Sequence, residues 1–442
     1  MPQPTRNWLG SRSPKRLVYS LTGALLASTF VLGVTAAPNT LAAAQPSSTT
    51  LTILVAEQYP AITAAATSFE KSHPNVHIQV QIVSGSAFVP KTLLEVASNN
   101  PPDLFQNFGG GLLLDSFVKV GYVANLTAFW RQNSSLTGAY LPSAMGPATV
   151  SNQIYGVPYQ GVQPVFFYYN KADFAAAKIT PPTTWSGLLT DITKLETAGY
   201  IPLAQGNDAW ALMMWPEYLA LRAGGASAGA AVVAGKPGTS PAVTTAGNFS
   251  RSLVQGDPFE PGFLGITYDA GEPSELVGIG KAAMELQGSW EFSNLQSKTP
   301  QALKSNNIGF FPFPSLGTTP STSIAGNPSI YLSIAQKSTH KALAEEFLKD
   351  TLLQPWFSKL LISEGAVPGV KGDLAELQKN AKGPETSSFL TFQYNLLTRA
   401  SYFQQSWDQA SLPAEAQTIY SAVSKLFAGE LTGSQFAKAL NG

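Results

Sequence analysis

Residues 51–107 switch period repeatedly, and that switching restricts the fold more than any other feature of the chain. The apolar run "LTILVA" at 51–56 is short for a core helix and reads as a strand. Pro60 then opens a helix that places Ile62, Ala65, Ala66 and Phe69 on one face. "VHIQVQIV" alternates strictly, with Val76, Ile78, Val80 and Ile82 on one side, as in a half-buried strand. A second helix is expected at about 91–98 and a short strand around 103–106. Strand, helix, strand, helix, strand at this spacing reads as a parallel sheet covered by helices, and open sheets of that kind bind ligands beyond the carboxyl ends of their strands. The residues just past those ends are Glu57, Ser84 and Asn107.

At 442 residues the chain exceeds one ordinary core, so two domains are expected. From Tyr155 the texture changes, with Pro158 and Pro164 around the aromatic run "VFFYY", where a crossing between domains is expected. The Ala/Gly-rich stretch 224–247 reads as a helix end plus a surface excursion. "SIYLSIA" at 329–335 is another strand, Thr339 can cap the helix that follows, and the C-terminus is helical with a break at Gly433.

Arg6, Arg12, Lys15 and Arg16 precede an apolar stretch at 17–37, with no acid before Ala44. That pattern is a secretory signal, with Ala42 and Ala44 as its small residues, so residues 1–44 are expected to be removed after Ala44. An uncleaved anchor is the competing expectation, because the stretch approaches the ~20 residues that span a bilayer. Removing four cations from 27 leaves 23 basic against 27 acidic residues, a net charge of −4. Nothing in that balance attracts nucleic acid. The chain has no cysteine, hence no disulfide framework, no thiol nucleophile and no lipid attachment at the cleavage site. An exported, periplasmic protein that is not a lipoprotein is expected.

Motifs for chemistry are sparse. His73, His77 and His340 lack metal-ligand spacing, which points to no metal site, and no phosphate-cradling glycine loop occurs, so no cofactor is expected. Gly225-Ala226-Ser227-Ala228-Gly229 fits the G-x-S-x-G nucleophile pattern, with His340 downstream. That pattern needs a strand before the serine, whereas the preceding "WPEYLALRAGG" reads as helix. Glu57, Asp208 and Asp408 could converge as the carboxylates of a glycoside hydrolase.

Eight segments, "FEKSHPNVHIQV", "PPDLF", "YGVPY", "FFYYNKADF", "PPTTWSGLL", "GKAAMELQGSW", "ALAEEFLKDTL" and "GAVPG", stand in one order along the chain. In that order the sequence resembles the family 1 extracellular solute-binding proteins of ABC transporters, the group that includes maltose-binding protein. The resemblance implies an α/β, two-lobed periplasmic-binding-protein-like fold with hinge strands and an interlobe cleft. Lobe 1 would comprise residues 46–157 and 318–343, and lobe 2 residues 158–317 and 344–442. It further implies a monomer that performs no reaction, holds a carbohydrate in the cleft and delivers it to an ABC permease.

By the same resemblance the ligand contacts would be Glu57, Asn107, Gln163, Trp210, Trp290, Asn327, Trp407 and Asp408, with Phe108 following "PPDLF". The physics agrees for Trp290: a sugar has an apolar C–H face and a rim of hydroxyls, so its site needs flat aromatics beside side chains that donate and accept hydrogen bonds. Asp103 reads as a structural cap and Trp185 as the first-turn anchor of a helix. A secreted glycan-active hydrolase, or a binding protein for a non-sugar solute such as a phosphodiester, polyamine or metal chelate, stays open as an alternative.

Overall fold

The computed structural model describes residues 48–56, 60–83, 87–268, 272–317 and 321–441. The signal segment 1–44, Glu57 and Ser84 lie outside the described residues. Strands β1 (Thr49–Val55), β2 (Val76–Ile82) and β3 (Leu104–Asn107) form the parallel unit expected from the periodicity, with Leu51 opposite Ile78 and Ile53 opposite Leu104. The helix Pro60–Ser72 buries Ala61, Ile62, Ala65, Ala66 and Phe69, its apolar stripe, against this sheet. A fully buried side chain such as Phe69 contributes ~1.5–3 kcal/mol. The second helix, Phe88–Val96, starts earlier than expected. Ile82, on the alternating face, is 42% exposed because β2 is the edge strand and Ile82 ends it.

After a hairpin of β4 (Thr149–Val150) and β5 (Gln153–Ile154), β6 (Val157–Pro158) pairs at the far edge of the first sheet. The chain then leaves it. Strand β7 (Gln163–Asn170) belongs to a second sheet with β8 (Ile201–Ala204), β9 (Ala282–Gly288), β10 (Ile308–Phe311) and β11 (Ile324–Asn327). It returns between Asn327 and β12 (Tyr331–Ile334), which is antiparallel to β3 and β6, and β13 (Phe403–Gln405) joins the second sheet beside β11. Two short crossings, 158–163 and 327–331, therefore run directly from a strand of one sheet to a strand of the other. At one of them Gly326 has φ +150, and a Cβ there would lie 2.1 Å from the Gln163 carbonyl oxygen, so only glycine lets β11 pass this close to β7.

Several expectations are corrected by packing. Residues 224–247 are not a surface excursion: helices Ala209–Gly224, Ala226–Val233 and Pro241–Gln255 place Ala228, Val232, Val243 and Ala246 in the second core. The helix Lys341–Asp350 is not capped by Thr339; the Ser338 hydroxyl accepts the His340 N–H. Gly433 opens the last helix, Gly433–Ala439, and the break falls before it, with Gly429 at φ +77. Ala344, Phe347, Leu348, Phe357 and Leu361 pack in the first core, so this part of 344–442 sits with the first sheet, while Ile419, Leu426 and Phe436 pack in the second. Among the described residues no helix is long and apolar enough to cross a membrane.

Trp185 and Asp103 have the structural places expected of them. Trp185 begins the helix Trp185–Thr197, capped by Thr184, and stacks on Phe313. The Asp103 carboxylate accepts from the Thr52 N–H and hydroxyl and from the Ser338 hydroxyl.

Candidate functional site

Residues of both sheets line one cavity of about 330 Å³, at the lower end of the ~300–1,000 Å³ usual for small-molecule sites. On the first side stand Ala56 past β1, Gln106 in β3, Phe88 at the start of its helix, and Phe108. The Phe88 and Phe108 rings meet edge to face at 5.7 Å.

The floor is made where the chain crosses between sheets. Asn327 Nδ2 donates to Gln163 Oε1 (3.1 Å), Gln163 Nε2 to Gln160 Oε1 (2.8 Å) and Gln160 Nε2 to the Tyr159 hydroxyl (2.9 Å). The Tyr159 hydroxyl donates in turn to Gln106 Oε1, which also accepts the Ala56 N–H at 3.0 Å. These buried amides satisfy one another, as buried polar groups must.

The opposite wall is aromatic. Strand β9 is buried throughout and ends at Gly288. A Cβ on Gly288 would lie 2.1 Å from Cζ3 of Trp290, so the indole closes over a bare α-carbon and takes its place in the wall. Ser289 N–H donates to the Pro164 carbonyl (3.0 Å) and the Ser293 hydroxyl to the Trp290 carbonyl (2.8 Å), which fix the turn. Trp210, in the first turn of the helix after Asp208, meets Tyr268 edge to face at 4.8 Å and Trp290 at 6.0 Å. The Asp208 carboxylate accepts the Tyr268 N–H and ties these elements together.

Acids rather than bases charge the cavity. Asp208, Glu217 and Asp408 line it, with no Lys, Arg or His among the described residues. Glu217 Oε1 accepts the Trp407 N–H at 3.0 Å, and burial followed by the nearby Asp408 charge pushes its carboxyl well above the ordinary range. Burial also raises Asp408, against the Ser406 (2.6 Å) and Tyr420 (2.7 Å) hydroxyls that donate to it. Behind the aromatic wall, Glu285 is raised by burial and then by the Glu291 and Glu260 charges.

Of the residues expected from sequence, Gln163, Trp210, Trp290, Asn327 and Asp408 line this cavity. Asn107 and Trp407 do not. Asn107 is fully buried and its amide donates to the Ser333 hydroxyl at 2.6 Å, because strand alternation turns Gln106 toward the cavity and Asn107 away. Trp407 is fully buried in the second core, and its indole N–H has no hydrogen-bond partner among the described residues. Gln106, Gln160, Glu217, Tyr268 and Tyr420 were not anticipated as lining. Only Glu217 carries a sequence signal, one acid in the apolar run "LMMWPEYLAL". Ser227 lies in the first turn of the helix Ala226–Val233, which follows another helix, and its hydroxyl donates to the Gly224 carbonyl at 2.8 Å, so no strand-borne elbow exists there.

Residues 52–352 match the family described as bacterial extracellular solute-binding protein. An uncharacterized ABC transporter extracellular-binding protein of Pyrococcus horikoshii is 26% identical over 245 residues, 54% of this chain. The match likewise spans about half of that relative's length, 54%. Among solved structures, a protein from work on xylan utilization by the thermophilic bacterium Caldanaerobius polysaccharolyticus is 26% identical, with a TM-score of 0.77 over 89% of this chain and 99% of its own. A chitin oligosaccharide binding protein, 23% identical, gives a TM-score of 0.78 over 89% and 97%.

Proposed function

The chain belongs to the bacterial extracellular solute-binding protein family, and on that premise we propose that it is the extracytoplasmic substrate-binding component of an ABC importer for a saccharide. The observation that carries this reading is the pairing of half-buried indoles, Trp210 and Trp290, with a floor of amides, Gln163 and Asn327, in one cavity. Indole faces suit the C–H face of a sugar ring, and amides and carboxylates suit its hydroxyls. Relatives described for xylan utilization and chitin oligosaccharide binding support the same class. The contact set is Gln163, Trp210, Trp290, Asn327 and Asp408, with Gln106, Gln160, Glu217 and Tyr268 beside them. Three carboxyl groups and no cation among the described lining residues favour a neutral or amine-bearing saccharide over an acidic one.

In this reading the protein binds and hands over its ligand without chemistry, is exported by residues 1–44, works unlipidated outside the cytoplasmic membrane as a monomer, and closes about the crossings 158–163 and 327–331. The lobes divide there, with residues 341–363 added to the first. Calorimetry against neutral, amine-bearing and uronate-bearing mono- and oligosaccharides, followed by small-angle scattering with the best ligand, tests it. Saturable binding of a neutral or amino saccharide with compaction is expected. Binding of none of the panel, or preference for uronates, overturns it.

A further inference from the structure

On the outer face of the first core, donors from two segments far apart in sequence converge. His73, just past the helix Pro60–Ser72, and Glu346 and Asp350, one turn apart on the helix Lys341–Asp350, each offer an atom within 4.8 Å of the other two. His73 Nε2 stands 3.4 Å from Glu346 Oε1, the edge of a tetrahedron with metal bonds of ~2.0–2.1 Å. None of the three lines the saccharide cavity.

The imidazole is held in the orientation a ligand needs. Its Nδ1 lies 3.0 Å from the Phe69 carbonyl oxygen, which can only accept, and 3.0 Å from the Ser72 hydroxyl, which donates to the Phe69 and Ser68 carbonyls; with Nδ1 as donor to Phe69, Nε2 is the atom turned to the carboxylates. Metal-binding histidines are fixed in this way, the other ring nitrogen donating to a carbonyl or carboxylate. The ring also stacks on Phe69 (centroids 3.9 Å, 17°), and Phe69 meets Phe347 edge to face at 5.4 Å. Both helices are therefore joined by buried packing directly beneath the donors. Glu346 and Asp350 stand at the surface on one helix face, their side chains 45% and 36% exposed, and rotation of their carboxylates closes the remaining distance.

We propose that His73, Glu346 and Asp350 form a site for a zinc-type divalent cation that staples the helix Pro60–Ser72 to the helix Lys341–Asp350. One imidazole and two carboxylates suit zinc and its first-row neighbours rather than magnesium or calcium. Water completes the shell at this open face. Without metal, His73 Nε2 faces Glu346 Oε1 at 3.4 Å and Lys349 Nζ lies 3.3 Å from Asp350 Oδ1. Metal binding displaces both.

Zinc chloride titrated into tag-free, chelator-stripped protein tests this by calorimetry and thermal melts. One zinc per chain and a raised Tm are expected, with His73→Asn, and separately Glu346→Gln with Asp350→Asn, each weakening binding at least about tenfold. The carboxylate variants change exposed groups and keep the fold testable should the histidine variant fold poorly. Ring nitrogen NMR should place the metal on Nε2 of His73. No binding up to about 1 mM zinc, binding that survives the carboxylate variants, or binding abolished by His77→Gln overturns the proposal.

Discussion

Trp210 and Trp290 meet the cavity as half-buried rings, whereas Gln106, Gln160, Gln163 and Asn327 meet it buried and already joined by hydrogen bonds. The two surfaces offer a ligand different things. A ring face gains contact area with no bond broken, so the aromatic wall supplies free energy at little cost. An amide engaged with its neighbour adds to or exchanges a bond, and net gains are then ~0.5–1.5 kcal/mol. In the proposed function the aromatic side sets how tightly a saccharide binds and the amide floor sets where its hydroxyls stand.

Trp407 tests whether nearness to the cavity makes a tryptophan part of the wall. As a fully buried core side chain, its replacement by alanine should cost ~3–5 kcal/mol of folding stability, read by urea unfolding. An unchanged midpoint would place it outside the core. Trp290→Ala should leave the fold intact and weaken saccharide binding by ~1–3 kcal/mol, with loss of the ligand-induced change in tryptophan emission. Gln163→Ala should weaken binding less, by ~0.5–1.5 kcal/mol, and if it costs more than Trp290→Ala the assignment of roles to the two surfaces is reversed.

Smaller at any one pH, but distinctive in slope, is the effect of the acids behind the aromatic wall. Glu285 is held well above its ordinary 4.5, so the folded chain keeps a proton that the unfolded chain releases near pH ~4.3. Its stabilising contribution is complete below that pH and is lost as the pH rises through the raised folded value. Melts from pH 4 upward should fall in Tm, and Glu285→Gln should fall less steeply. Ser227→Ala, on an exposed helical turn, should change stability by less than ~0.5 kcal/mol and binding not at all. Loss of a hydrolytic activity in that variant would contradict a purely binding role.

How much of this was legible depends on the range of the interaction. Strand β1, the helix Pro60–Ser72 and strand β2 were readable because their periods are local and their buried faces follow from them. Trp290 was expected at the cavity through the resemblance, and the contact that sets it there, its indole closing over Gly288, is a local one. Asn107 was misplaced by a single position, since which residue of β3 faces the cavity depends on a strand end that sequence locates only to within a residue or two. Trp407 was expected at the ligand through the resemblance, and its polar neighbours, "QQSWDQ", say nothing about the core beneath. Gln160, Tyr268 and Tyr420 sit in a crossing, a loop and a C-terminal helix, brought together only by tertiary packing.

The amide floor carries one further consequence. Every donor along it points the same way, from Asn327 through Gln163, Gln160 and Tyr159 to Gln106. Turning one amide alone would set N–H against N–H on one side and lone pair against lone pair on the other. The row therefore has two hydrogen orders, forward and reverse, with faults between them costly where the groups are so deeply buried. The Ala56 N–H, a backbone group that cannot rotate, demands an acceptor at Gln106 Oε1 and so selects the forward order. A peptide group on one sheet thus dictates which way an asparagine on the other must present its oxygen, and a ligand entering between them finds the polarity of the floor already decided.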